Sequence, residues 1–215
     1  MNNQKKILLF GATRNTGYHV MIQALAAGHE VTAIIRNPLQ FDYKHPNLKI
    51  VKGDALDRSS FEQEVPGKDV IISSLGVTDT KAVTILCSQG VRNMMEAMTK
   101  AGVKRIICVS AIALDTNSQM GFFIRTASKV LDRFILTNPY ADMRIMEREI
   151  KNSRLDWTIV RPPQLKDNPL TGKYREAVGG HLSWPFSIGR ADVAHCILKH
   201  LDDQNSLHKT IELAY

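Results

Sequence analysis

The chain of 215 residues has only three cysteines, Cys87, Cys108 and Cys196, and no two of them form a C-x-x-C pair. An odd count without that spacing excludes a disulfide framework and a cysteine-based zinc finger. It leaves buried, reduced thiols in apolar surroundings. The seven histidines, at 19, 29, 45, 181, 195, 200 and 208, show no metal-ligand spacing, so no metal is expected. No stretch approaches the ~20 apolar residues of a membrane span. The opening MNNQKK runs directly into a strand-like segment without the apolar core of a secretory signal, so a cytoplasmic protein with no membrane partner is expected. No run of Lys or Arg exceeds two, which argues against a basic nucleic-acid-binding arm. Neither an internal repeat nor a linker breaks the chain. One domain over residues 1–215 is expected, acting as a monomer or a dimer.

What is present is an alternation. Hydrophobic residues make up 44% and charged residues 23%, the balance of a globular chain with a substantial core. Lys plus Arg number 28 and Asp plus Glu 21, a formal charge of +7, which suits anionic ligands. Strands are expected at Lys6 to Phe10, Val31 to Ile35, Leu48 to Val51, Asp69 to Ser73, Val103 to Ser110, Asp156 to Arg161 and Thr210 to Leu213. Helices are expected at Tyr18 to Ala27, Ser59 to Val65, Thr80 to Ala101 and Arg190 to Leu201, with residues 111–155 helical in character. A loop is expected over 164–188. The strands are continuous apolar runs and the helices carry an apolar face. The methionines 94, 95 and 98 read as core filling. The fold class that follows is α/β, a Rossmann-type doubly wound parallel sheet. A small C-terminal substrate-side lobe, mainly 111–140 and 164–188, is expected to complete it.

Between the first strand and the first helix stands Gly11-Ala-Thr-Arg-Asn-Thr-Gly17. A glycine-rich turn at this junction lets backbone N–H groups approach a pyrophosphate, and the helix N-terminus adds partial positive charge. The strand–turn–helix–strand context makes the pattern informative. Its middle glycine is replaced by Arg14. Either the loop is displaced, or the guanidinium itself serves as a phosphate ligand. The second strand ends in Arg36, where an NAD site would place an acid against the ribose 2′-OH. An arginine there favours a 2′-phosphate, hence NADP(H). Asp54 and Ala55, after the third strand, are expected beside the adenine. Leu75 and Gly76, after the fourth, should run past the ribose and pyrophosphate.

Together these residues resemble atypical short-chain dehydrogenase/reductase proteins with the NmrA-like NAD(P)H-binding fold, most of all the flavin reductase/biliverdin reductase B group. The resemblance rests on Gly11-Ala-Thr13 with Thr16-Gly17, Val31 to Arg36, Gly53-Asp54, Leu75-Gly76, Ser110-Ala111 and Arg161-Pro162-Pro163. It continues through Pro169 to Tyr174 and Ile188 to Ala194. It implies that Thr13 and Thr16 touch phosphates, that Ser110 lies near the nicotinamide, and that Pro162 and Pro163 line the same pocket. The histidine that follows the proline pair in the biliverdin reductase B group is Gln164 here. The upstream helix that carries a histidine in that group has Met143 and Glu147. Biliverdin is therefore not implied as substrate.

Short-chain dehydrogenases move a proton with a Tyr-x-x-x-Lys pair, and this chain has none. The nearest imitation is Tyr140-Ala-Asp-Met-Arg144, whose arginine cannot relay a proton. Tyr140 is left as a candidate acid or a helix-start residue. Ser110 is left as the group that positions the acceptor or the carboxamide, or as a cap of the strand-end loop. Trp184-Pro185-Phe186 either walls an acceptor pocket or packs the lobe, and Asp192 is expected to hold the Arg190 region. A flavin or quinone accepts hydride without a dedicated acid, so the expected activity is hydride transfer from NADPH to such a small-molecule acceptor. The resemblance also implies an alternative, a non-catalytic NADP-binding redox sensor of the NmrA type. A sugar-nucleotide-modifying enzyme is a third reading, which the missing Tyr-Lys pair opposes.

Overall fold

The computed structural model describes residues 4–76, 84–114 and 138–215. The first half alternates β1 (Lys6–Phe10), α1 (Asn15–Ala26), β2 (Glu30–Ile35), β3 (Leu48–Lys52) and β4 (Val70–Ser73). There follow α2 (Leu86–Ala101), β5 (Arg105–Val109), α3 (Asn138–Lys151) and β6 (Asp156–Arg161). The chain closes with β7 (Gln164–Lys166), β8 (Arg175–Val178), β9 (Ser187–Gly189), α4 (Arg190–Lys199) and β10 (Lys209–Ala214). The main sheet has the order β3-β2-β1-β4-β5-β6-β10-β8, and β7 pairs with β9 separately. Every pairing in the main sheet is parallel except β10 with β8. The order reverses between β1 and β4, which opens a crevice at their carboxyl ends.

The central strands β1, β2, β4 and β5 are mainly apolar because both faces are covered. Ile7 and Leu9 of β1 pack with α1 and α4, through Val20, Met21, Val193 and Ile197. Leu8 and Phe10, on the other face, pack with α2 and α3, through Val91, Met94, Met98, Met146 and Ile150. Met94 and Met98 are fully buried, as core filling requires. Helix α1 ends where Gly28 takes φ +85°, with Gly28 and His29 donating to the carbonyls of Leu25 and Ala24. The start of α2 is capped from α3: the Asp142 carboxylate accepts from the Cys87 and Ser88 N–H groups at 2.8 and 3.0 Å.

Two expectations are corrected. The segment from Ser59 to Val65 is not a helix but two short 3₁₀ turns, Arg58–Ser60 and Glu62–Glu64; the Asp57 carboxylate accepts from the Ser59 N–H and starts the first. The stretch 164–188 is not only loop, since β7, β8 and the start of β9 lie within it. Trp184 and Phe186 stack on one another at 6.2 Å, are 54% and 64% exposed, and stand outside the cleft described below. Residues 80–83 of the expected helix, and 115–137 of the expected lobe, lie outside the described residues. Among the described residues, no helix is long and apolar enough to cross a membrane.

Candidate functional site

The carboxyl ends of β1, β2, β4, β5 and β6 surround one cleft of about 560 Å³. Gly11, Thr13, Arg14, Asn15 and Thr16 of the β1–α1 turn form its floor. Arg36 enters from the end of β2, and Asp54 with Ala55 from the loop after β3. Leu75 and Gly76 follow β4, Ser110 follows β5, and Pro162 with Pro163 follow β6. Tyr140 and Met143 come from α3. Gly17 is the exception among the sequence candidates, for it is buried and does not line the cleft.

The turn fits a dinucleotide phosphate. Gly11 takes φ +86°, and a Cβ there would stand 2.5 Å from the Ser74 carbonyl oxygen. A Cβ on Gly17 would stand 2.1 Å from the Gly11 carbonyl oxygen, so helix and turn approach only because both residues are glycine. Arg14 is the N-cap of α1 with extended backbone and makes no side-chain cap hydrogen bond, and the first turn holds no acid. The first N–H groups of α1 are thus not capped by its own side chains, as an anion seat requires. Arg14 and Arg36 are exposed where they line the cleft. In the loop after β3, Asp54 Oδ1 accepts from the Leu56 N–H at 3.0 Å, and Asn93 donates to the Ala55 carbonyl at 2.9 Å. These bonds shape the loop.

On the other side stands a buried ionic cluster. Ser110 donates its hydroxyl proton to Glu147 Oε1 at 2.7 Å. Arg161 binds the same carboxylate through Nε to Oε1 at 2.9 Å and Nη2 to Oε2 at 2.5 Å. Lys151 adds a contact at 3.1 Å. Burial pushes the Glu147 carboxyl up, but the Arg161 guanidinium, the Ser110 hydroxyl and the Lys151 ammonium outweigh it. Glu147 is held below the usual carboxylate range and is ionised at neutral pH. The backbone fixes the serine as well: Ser110 N–H donates to the Val160 carbonyl at 2.8 Å and Ile112 N–H to that of Pro162 at 3.0 Å. The loop after β5 is thereby drawn onto the proline pair.

Two residues of this site were not found from the sequence. Glu147 stood there only as a departure from the related group; the signal was Arg161, an arginine closing an apolar strand, which needs a carboxylate when buried. Arg190, at the start of α4, also lines the cleft. It pairs with the exposed Asp167 at 2.7 Å, and its Nε is buried with no partner among the described residues. Local spacing gave no sign of it, because its position depends on β9 pairing with β7. Asp192 does not contact Arg190 in the bonds it makes. It accepts from the Thr171 N–H and hydroxyl, the Gly172 N–H and the Tyr215 hydroxyl, at 2.7–3.0 Å.

Comparison with known proteins agrees with this fold. An uncharacterized chloroplastic protein of Arabidopsis thaliana is 31% identical over 97% of this chain and 76% of its own length. A Bacillus subtilis protein named as an uncharacterized sugar epimerase is 29% identical over 97% of this chain and 93% of its own. A short-chain dehydrogenase/reductase of Veillonella parvula, solved in complex with NADP, superposes with a TM-score of 0.80 at 17% identity, covering 99% of this chain and 95% of that one. Residues 11–204 match the family described as NAD(P)H-binding. With that match spanning most of the chain, this protein belongs to the NAD(P)H-binding family.

Proposed function

We propose that the chain is an NADPH-dependent reductase that passes hydride to a planar, conjugated acceptor of the flavin or quinone kind, in the manner of the flavin reductase/biliverdin reductase B group. The observation that carries this reading is the proton arrangement at Ser110. Its hydroxyl proton is committed to Glu147, an ionised carboxylate with no proton to give. No lysine lines the cleft among the described residues, so these residues build no Tyr-Lys relay of alcohol dehydrogenation. A flavin or quinone takes its proton from water, and the protein then contributes mainly orientation and proximity.

The cofactor, when bound, supplies the hydride. The turn Gly11–Gly17 and α1 hold the pyrophosphate, Arg36 the 2′-phosphate, with Arg14 beside it, and Asp54 with Ala55 the adenine. Leu75 and Gly76 flank the ribose. Arg190 offers a further cation to a phosphate in the cleft. Ser110, locked as a donor to Glu147, keeps its oxygen lone pairs for the carboxamide N–H or for a donor on the acceptor. Tyr140 and Met143 wall the acceptor side.

The missing Tyr-Lys pair favours one other reading as well, a redox sensor that binds NADPH without turnover. The epimerase named for the Bacillus relative is opposed by the missing Tyr-Lys pair. The test is NADPH oxidation, followed by nicotinamide absorbance, with FMN, riboflavin and a small quinone panel. Turnover with any of them is expected. Tight NADPH binding with no turnover would replace the reductase reading with the sensor. Ser110→Ala is expected to lower kcat/KM while leaving NADPH affinity within a few fold; an unchanged kcat/KM removes Ser110 from the catalytic group.

A further inference from the structure

A second cluster of chemically capable side chains lies away from the cleft and shares no lining residue with it. Cys196 and His200 stand one helical turn apart at the end of α4, 0% and 2% exposed. Glu176 reaches them from β8. Its Oε2 lies 3.4 Å from His200 Nε2 and 3.9 Å from Cys196 Sγ, and the three ligand atoms all fall within 4.8 Å of one another. A tetrahedral zinc ion with ordinary bond lengths sets its ligand atoms roughly 3.3–3.6 Å apart. One edge of the observed triangle, 3.4 Å, already matches, and the other two would draw in by up to about 1 Å around a bound ion.

The surroundings point the same way. His200 Nδ1 lies 2.7 Å from Asp203 Oδ2. A carboxylate on the far nitrogen is the usual partner of a metal-bound imidazole, since it holds the proton on Nδ1 and turns the Nε2 lone pair inward. Nε2 then faces the Glu176 carboxylate oxygen, and a cation seated between them takes the place that a ring proton would otherwise fill. Lys199 binds the other oxygen, Oε1, at 2.7 Å, which leaves Oε2 for the third corner.

We propose that Glu176, Cys196 and His200 form a site for a single thiophilic divalent cation, zinc by ligand type, with water as fourth ligand. Binding exchanges the Cys196 thiol proton for the metal–sulfur bond, and that proton leaves to solvent. The ion would tie β8 to the end of α4, and through them the antiparallel edge of the sheet to the helix that begins at Arg190. Neither cysteine nor histidine spacing reveals this site in the sequence, because the third ligand comes from a strand twenty residues upstream.

The test uses the untagged full chain, stripped with EDTA and titrated with Co²⁺. A thiolate-to-cobalt charge-transfer band saturating at one equivalent is expected, displaced by Zn²⁺, with a rise in Tm. Cys87→Ala should keep the band and Cys196→Ala should abolish it while NADPH still binds, which reports an intact fold. Glu176→Gln, at a half-buried position, tests the site should Cys196→Ala fold poorly. It is expected to weaken Co²⁺ binding at least tenfold. No band at one equivalent, a band that survives Cys196→Ala, or unchanged affinity in Glu176→Gln overturns the proposal.

Discussion

At the scale of single residues, the cleft is built from a few charges whose placement decides chemistry. Arg36 replaces the acid that an NAD site carries, and hydrogen bonds to a charged partner contribute about 1.5–3 kcal/mol. Arg36→Ala is therefore expected to weaken NADPH roughly tenfold to a hundredfold and NADH only slightly, measured by nicotinamide fluorescence. Equal losses for the two cofactors would remove Arg36 from the 2′-phosphate. Glu147 acts through Ser110 and Arg161 and is a positioning residue. Glu147→Gln leaves the guanidinium of Arg161, only 8% exposed, facing a neutral amide. A loss of about 3–5 kcal/mol in urea unfolding is expected. The pH dependence has a definite sign. Because the folded carboxyl lies below its usual range, its contribution is present above the ordinary value of ~4.3 and is lost as pH falls through the folded one. The acid limb of the wild-type stability curve should flatten in Glu147→Gln; an unchanged limb would mean that other carboxylates dominate it. The cleft residues were legible because they follow strand ends in sequence. Ser110 was legible for the same reason, whereas its partner lies 37 residues on and only the packing of α3 against β6 brings it in.

At the scale of elements, legibility followed burial. Strands β1, β2, β4, β5 and β6 are covered on both faces, so each reads as an apolar run that no local competitor disturbs. Strands β7, β8 and β9 have only three or four residues, and those of β7 and β8 are exposed or half-buried, so no period marks them. They exist because partners bind them, and Asp192 is one anchor of that region. It is fully buried at the start of α4 and collects donors from Thr171, Gly172 and Tyr215. Burial raises its carboxyl, and those hydrogen bonds together hold it below the usual range. Asp192→Asn turns one acceptor into a donor that faces other donors. A loss of about 2–3 kcal/mol is expected, read as a lower urea midpoint. NADPH affinity should fall with it, because Arg190 of the same helix turn lines the cleft. A stability loss with unchanged affinity would show that this turn keeps its place without the anchor.

At the scale of the whole molecule, the alternation of strand and helix was enough to derive a parallel sheet with both faces covered, whereas the strand order, and the crevice where it reverses, came from the structure. The antiparallel β8 at the sheet edge was not derivable, since nothing in its four residues specifies direction. The architecture has a thermodynamic consequence. The cleft draws residues from the carboxyl ends of most parallel strands, so a ligand there favours the folded chain alone and not one element of it. At a concentration a hundred times its dissociation constant, such a ligand stabilises by about 2.7 kcal/mol. For a chain of this size, each kcal/mol moves Tm by roughly 2–4 °C, so saturating NADPH should raise Tm by about 5–11 °C. NADH at equal concentration should give a smaller rise. The difference should shrink with added salt, because the proposed 2′-phosphate interaction with Arg14 and Arg36, both exposed, is screened while apolar and backbone contacts are not. Equal shifts for the two cofactors at low salt would mean that the two arginines do not discriminate the phosphate. A difference that persists at molar salt would move discrimination to buried groups of the cleft, Arg190 first among them.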